Sequence, residues 1–366
     1  MRLPQHSQDR PDDDKTDTEA GLPSHGTAAS IADMTSFWSE WQPLALTPTP
    51  DAATLAEILD GGQAFRWFRQ PDDTWRGAWT GCTAELRLAD GKLNWRAPRT
   101  IAEHTGPALH DYFAADRDWM ALADTLPWRS DAHLAHCLAT FPGLRILRQP
   151  LGETLLHFLC SATKQIVQIK QMSALLAERH GAPLFPPPTF NPQLSTSFHR
   201  LPTWAELAET SEVELRRCLL GFRAGYIHQT ARFLAAHPGW LEATAVLPYP
   251  EAKARLCELP GVGEKIADCV LLFGAGRLEA FPVDVWILKT MAARYGLHNW
   301  KPAQVAHFGR THFGPLAGYA QQYLFAYERR AKLEPTMTVS PGRGESRRFS
   351  RSGAQDFSMR SRGNTP

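Results

Sequence analysis

No run of about 18 apolar residues occurs anywhere in the 366-residue chain, so a membrane-spanning helix is not expected. The polar start lacks the apolar core of a secretory signal, which points to an intracellular protein. The six cysteines, Cys82, Cys137, Cys160, Cys218, Cys257 and Cys269, form no close pairs, and the histidines stand singly. That pattern provides neither a disulfide framework nor a metal-ligand spacing, and reduced core thiols are the expectation. Charge of one sign is equally scarce. Lys and Arg number 39 against 38 Asp and Glu, a net charge of +1, so bulk electrostatics cannot be the main attraction to a polyanion.

What the chain has in quantity is core material: 43% hydrophobic residues, 12 Trp and 18 Phe, at a length that allows two or three domains. Composition divides it into four parts. Residues 1–33 carry Asp12-Asp13-Asp14 amid Pro, Ser, Thr and Gly, and residues 334–366 form a Ser/Arg/Gly tail with Arg347-Arg348 and Arg360; both ends are expected to be disordered, and Met34 is a second candidate for the translation start. Within 34–130, the segments Ala64–Phe68, Thr74–Trp79, Ala84–Leu88 and Lys92–Trp95 alternate with Asp, Gly and Pro turns between about Thr54 and Pro98, predicting a small antiparallel β-sheet. From Tyr112 onward the pattern is helical. Over 131–333, apolar spacing predicts helices at Leu155–Ile169, Glu212–Leu220, Tyr226–Ala235 and Val285–Tyr295, separated by breaks such as Pro186-Pro187-Pro188. The fold class is α+β.

The most specific local signal is Leu259-Pro260-Gly261-Val262-Gly263-Glu264-Lys265, with Asp284 nineteen residues beyond Lys265 in Pro282-Val283-Asp284-Val285. Between two apolar periodic segments, the glycines predict helix, tight turn, helix. The main-chain amides of Gly261, Val262 and Gly263, with the start of the second helix, would form an anion site that needs no basic side chain. Lys265 falls in the first turn of that helix, where the positive helix pole works against a charged ammonium, and attack on a sugar carbon requires the neutral amine. Asp284, after Pro282 and before an apolar run, is placed as a helix N-cap whose carboxylate is held ionised by backbone N–H groups. The intervening helix covers roughly 12 Å at about 1.5 Å per residue, and the segment from Gly274 to Val283 can return that distance, so both side chains can face one pocket. Taken separately, the hairpin could be a sequence-independent DNA clamp with Lys265 on a phosphate, and Asp284 a simple cap.

Residues Leu259 to Cys269, Pro282 to Val285 and Phe313-Gly314-Pro315-Leu316-Ala317-Gly318-Tyr319-Ala320-Gln321 closely resemble the 8-oxoguanine DNA glycosylases of eukaryotic type, within the helix-hairpin-helix glycosylase superfamily. Gly62-Gln63-Ala64-Phe65-Arg66-Trp67, His110 to Phe113, Leu144 to Gln149 and Phe158 to Ser161 follow in the family's order, so the resemblance spans roughly residues 51 to 330. It implies a small sheet domain packed on two helical subdomains with a cleft between them. It also implies a monomer that flips a damaged base out of double-stranded DNA and removes it. Lys265 would be the Schiff-base nucleophile and Asp284 the electrostatic stabiliser; β-elimination would follow. No cysteine follows Cys269, which removes the iron–sulfur cluster of endonuclease-III-like relatives, and no metal or other cofactor is expected.

The resemblance assigns base recognition to Gly62, whose carbonyl would accept from the N7 hydrogen particular to 8-oxoguanine, to Cys269 and Phe325, which would sandwich the purine, and to Gln321 on its Watson–Crick edge. Each also has a structural reading: a turn glycine, two core residues and a surface amide. Departures from the family pattern concern the opposite strand. Near Thr163 the family has asparagines and at Gln168 an arginine, which are absent here; Phe222 stands for a wedging tyrosine, and Trp286 for a phosphate-holding histidine. A strict requirement for cytosine opposite the lesion is therefore not expected. Lys164 could touch the orphan base or only solvent, Arg223 could meet DNA or cover apolar surface, and the basic tail could add salt-sensitive attraction or merely solvate. Two alternatives stay open: a glycosylase for another oxidised or ring-opened purine such as a formamidopyrimidine, and a non-catalytic DNA-binding protein.

Overall fold

The computed structural model describes residues 37–184 and 199–333; the two ends expected to be disordered, and the triple proline, lie outside the described residues. Strands β1 (Gln42–Pro43), β2 (Trp67–Arg69), β3 (Trp75–Trp79), β4 (Cys82–Ala89) and β5 (Lys92–Arg96) form one antiparallel sheet in the order β1-β5-β4-β3-β2. Asp90-Gly91, both at positive φ (52° and 69°), joins β4 to β5 in the two-residue turn that this dipeptide favours. Gly77 of β3 is required by packing: a Cβ there would lie 2.2 Å from the Trp67 indole, which crosses the sheet and stacks on Trp79 at 5.8 Å.

Helices α1 (Ala52–Asp60) and α2 (Ala102–Tyr112) pack on the sheet, and α3 (Trp119–Asp124) and α4 (Ala132–Thr140) follow, α4 packing on the final helix Ala317–Leu333. The helical body continues with α5 (Leu151–Cys160), α6 (Ile166–His180), α7 (Trp204–Glu209), α8 (Glu212–Leu215), α9 (Arg223–Ala236), α10 (Trp240–Ala245) and α11 (Tyr249–Leu256), then α12 (Glu264–Phe273), α13 (Val285–Tyr295), α14 (Pro302–Phe313) and α15 (Ala317–Leu333). Among the described residues no helix is long and apolar enough to cross a membrane.

Four expectations need correction. Residues 52–60 form a helix capped by Asp51, whose side chain accepts from the Thr54 amide at 2.7 Å; the region expected to be sheet, from about Thr54, covers all but its first two residues. Helical structure also begins at Ala102, ahead of Tyr112. The segment Leu155–Ile169 is not one helix: it breaks after Cys160 because the polar run from Ser161 to Gln165 has no apolar face to bury, and Thr163 turns left-handed (φ 55°). The predicted helix Glu212–Leu220 stops at Leu215, and the following turn puts Leu219 at φ 61°, ψ 17°. One core runs through sheet and helices, with Trp119 edge-on to Tyr319 at 5.0 Å and the Tyr319 hydroxyl donating to the Leu144 carbonyl at 2.7 Å.

Candidate active site

The helix-hairpin-helix is formed as the sequence predicts, by α11, the turn at residues 257–263, and α12. Gly261 needs its left-handed φ of 80° and its missing Cβ, which would lie 2.7 Å from the Tyr226 ring. One detail of the anion site changes. The Val262 amide donates to the Leu259 carbonyl at 3.1 Å and the Val262 side chain is buried, so this residue closes the turn and offers no amide outward. Inside α12 the Ala267 amide donates to Gly263 at 2.9 Å, leaving the amides of the first turn to face outward from the N-cap Gly263.

Lys265 and Asp284 line the same small inner cavity, together with Gly62, Cys269, Gln321 and Phe325. All six residues singled out for catalysis and base recognition, drawn from four separate chain segments, therefore meet in one place. The half-buried Lys265 amine lies 3.4 Å from the Ser161 hydroxyl and 5.2 Å above the Phe158 ring. Neither Ser161 nor Phe158 had been given a role; their place in the run Phe158 to Ser161 was the only signal that marked them. Asp284 caps α13, accepting from the Ile287 amide at 2.8 Å. Those backbone bonds and nearby Lys265 favour the carboxylate, but burial outweighs them and raises its pKa above the ordinary value. Capping thus favours the ionised form as expected, and burial sets the direction of the net shift. Burial also pushes the Cys269 thiol up to about 12, so it stays a neutral wall of the cavity.

Gly62 is fixed by a chain of amide bonds. Gln63 donates to the Arg145 carbonyl at 3.1 Å and accepts from the Leu147 amide at 3.0 Å; Gln149 donates to the Gln63 carbonyl at 2.6 Å, while its own amide donates to Phe273 at 2.9 Å. The Gly62 loop is thus tied to the last turn of the lysine helix α12. Gln321 is not a surface amide: it is 4% exposed and donates to the Pro282 carbonyl at 3.2 Å. The inner cavity holds about 50 Å³, room for a few waters and too little for a purine. An adjoining open groove of about 590 Å³ is lined by Lys164, Trp286, Phe325 and Arg329 among others.

The residues expected on the DNA side separate into two groups. Phe222 projects, 54% exposed; Thr163 and Gln168 are exposed; Lys164 and Trp286 border the groove. The Gln168 side chain accepts from the Gln165 amide at 3.1 Å and so helps start α6. Arg223 does not project. It is 3% exposed and donates to the carbonyls of Ala162 and Leu220 and to the Thr163 hydroxyl, stapling two turns together. That burial does not suit the expected DNA contact, whereas the expected apolar cover holds in part: the guanidinium lies 4.3 Å from the centroid of the Phe222 ring. Among the described residues no group of three or more His, Cys, Asp or Glu could hold a metal ion.

The family model for the 8-oxoguanine DNA glycosylase N-terminal domain matches residues 45–155. The chain is 32% identical over 304 residues to the N-glycosylase/DNA lyase OGG1 of Arabidopsis thaliana, covering 79% of this chain and 80% of that protein. It is 42% identical over 277 residues to a probable N-glycosylase/DNA lyase of Methanothermobacter thermautotrophicus, covering 69% and 84%. Its structure is similar to that of a Clostridium acetobutylicum 8-oxoguanine glycosylase/lyase bound to double-stranded DNA with cytosine opposite 8-oxoguanine (TM-score 0.69, 30% identity, 76% of this chain and 92% of that one). With the hairpin, the lysine and aspartate and the sheet domain all in place, the chain belongs to the 8-oxoguanine DNA glycosylase family of the helix-hairpin-helix superfamily.

Proposed function

We propose that this protein is a bifunctional DNA glycosylase and abasic-site lyase that removes 8-oxoguanine from duplex DNA, acting as a monomer without metal or iron–sulfur cluster wherever the cell keeps its DNA, bacterial cytoplasm or eukaryotic nucleus. The observation that carries this reading is the meeting of Lys265, Asp284 and the four base-recognition residues around one cavity at the hairpin. The outward amides of Gly261 and Gly263 and the first turn of α12 hold a backbone phosphate, and the lesion swings into the cavity. Lys265 attacks the anomeric carbon as the bond to the base breaks; the base leaves with the bonding electrons and takes up a proton. Ionised Asp284 offsets the positive charge gathering on the sugar. Opening of the sugar ring gives an imine to Lys265, and loss of a proton from the adjacent carbon expels the 3′ phosphate. Water then hydrolyses the imine and frees the lysine.

The test is single-turnover reaction of the wild-type protein with duplexes carrying 8-oxoguanine, a formamidopyrimidine or undamaged guanine. We expect release of 8-oxoguanine and strand cleavage opposite more than one normal base. Release of the formamidopyrimidine alone would reassign the substrate, and binding without any release would leave a DNA clamp.

One residue of the hairpin works against DNA. Glu264 begins α12 beside the phosphate-binding amides with its carboxylate 62% exposed, and Lys253 reaches it at 3.4 Å while also pairing with buried Asp268 at 3.0 Å. A negative charge there repels a phosphate and is only partly neutralised by Lys253. Glu264→Gln should tighten DNA binding roughly three- to tenfold at low salt, with the gain fading as salt screens the site. Fluorescence anisotropy across a salt series checks this, and equal affinities at low salt would show that Lys253 already cancels the carboxylate.

A further inference from the structure

The turn before α9 combines strain and exposure in a way that folding does not repay. Leu219 sits at φ 61°, ψ 17°, a left-handed conformation that favours glycine or asparagine and costs a leucine energy. Its side chain is 52% exposed, although its neighbours Cys218 and Leu220 are fully buried. An apolar side chain held in a strained backbone and turned to solvent gains nothing within the folded chain. Phe222, 54% exposed, stands three residues on and meets the edge of Tyr226 at 6.0 Å; Tyr226, 41% exposed, packs beneath Gly261 of the hairpin. Leu219 thus shares its turn with Phe222, and from Phe222 the exposed ring of Tyr226 leads to the phosphate-binding turn.

The position of this turn relative to the nucleophile is fixed. Buried Arg223 bonds the Leu220 carbonyl at 3.1 Å on one side and the Thr163 hydroxyl at 3.0 Å on the other. Thr163 is itself left-handed at φ 55°, and two residues before it Ser161 touches the Lys265 amine at 3.4 Å. Two strained non-glycine residues on two turns joined by one buried guanidinium mark a built surface, continuous with the hairpin and the reactive lysine.

We infer that Leu219 is a second wedge residue beside Phe222, entering the base stack opposite the flipped lesion and meeting the orphan base by apolar contact. This rests on the base-flipping reading given above and deepens it. The occupant is duplex DNA at the lesion, because the surface runs into the phosphate-binding turn and the lysine. An aliphatic side chain neither donates nor accepts a hydrogen bond, so contact through it does not distinguish among the four bases. That makes Leu219 a determinant of tolerant opposite-base choice.

The test uses Leu219→Gly and Leu219→Asn, both of which suit a left-handed backbone, so their thermal midpoints should equal or exceed that of wild type. With 2-aminopurine opposite the lesion, wild type should brighten on binding as the orphan base unstacks, and both variants should lose most of that signal. Single-turnover excision of 8-oxoguanine should fall roughly tenfold opposite every normal base. The deficit should shrink opposite an abasic site, where no orphan base remains. Unchanged fluorescence and excision in both variants would overturn the proposal. So would lower thermal midpoints with equal rate losses on every duplex, which would assign Leu219 to the fold. The fluorescence arm separates this inference from the catalytic one: brightening without base release by wild type would keep the wedge and reject the glycosylase reading.

Discussion

Lys265→Gln is expected to eliminate the borohydride-trapped covalent adduct and to reduce base release and strand cleavage at least about a thousandfold, while leaving DNA binding in place. Glutamine nearly matches lysine in reach and polarity but has no nucleophilic amine. The fold should be indifferent to the change. Lys265 lies at the start of α12, is only half-buried, and makes one long hydrogen bond to Ser161 at 3.4 Å. Its loss therefore removes little stability, about 1 kcal/mol or less. Trapping assays on wild type and variant, with thermal melts alongside, decide the matter: an adduct or nicking that survives in Lys265→Gln would reject lysine chemistry. Base release that continues in the variant without nicking would instead indicate attack by water.

Asp284→Asn should separate activity from stability. Removing the negative charge that offsets the developing positive charge on the sugar should slow single-turnover base release by roughly a hundred- to a thousandfold. Stability should move the other way. Burial raises the Asp284 pKa in the folded protein above its unfolded value, so the folded state binds more protons between those two values, and stability falls as pH rises through that window. Asparagine carries no charge to bury and can still accept the Ile287 amide that Asp284 accepts at 2.8 Å. The variant should therefore melt at a higher temperature than wild type above that window, and the gap should close as pH falls through it. The same raised pKa moves the acid limb of wild-type activity upward from the ordinary aspartate value. A variant no more stable than wild type near neutral pH would show that the hydrogen bonds and Lys265 fully compensate the burial of the charge.

The hairpin was legible because its signal is local: Pro260, Gly261 and Gly263 dictate a turn whichever residues surround it, and the apolar run after Glu264 sets the helix that carries Lys265. Asp284 as the cap of Val285–Tyr295 was legible for the same reason. Strands β3 to β5 followed from alternation and turn residues, and their observed limits differ from the reading by at most two residues. Legibility failed where the decisive interaction is distant. The helix α1 precedes the first clear strand; its Asp51 cap is a local signal, but the burial of Leu55, Ile58 and Leu59 depends on the rest of the fold. The polar run that breaks α5 from α6 is local, but the conformation of its turn is held by Arg223 from 60 residues away in sequence. Arg223 reads as a surface cation beside two glycines; its burial depends on carbonyls that the folded chain brings to it.

The sequence by itself therefore determined the chemistry: a lysine at a helix start, an aspartate at a helix cap and a glycine turn, each fixed by the conformations its own neighbours allow. Tertiary structure decided everything that requires distant groups to meet. It placed Gly62, Gln321 and Phe325 around the lysine and tied the Gly62 loop to α12 through Gln63 and Gln149. It withdrew Arg223 and the Val262 amide from the surface, let burial outweigh capping at Asp284, and left Leu219 strained and exposed. The physical reason is one of range. Turn and cap preferences act over a few residues, whereas desolvation and hydrogen-bond pairing depend on which atoms arrive from elsewhere in the chain.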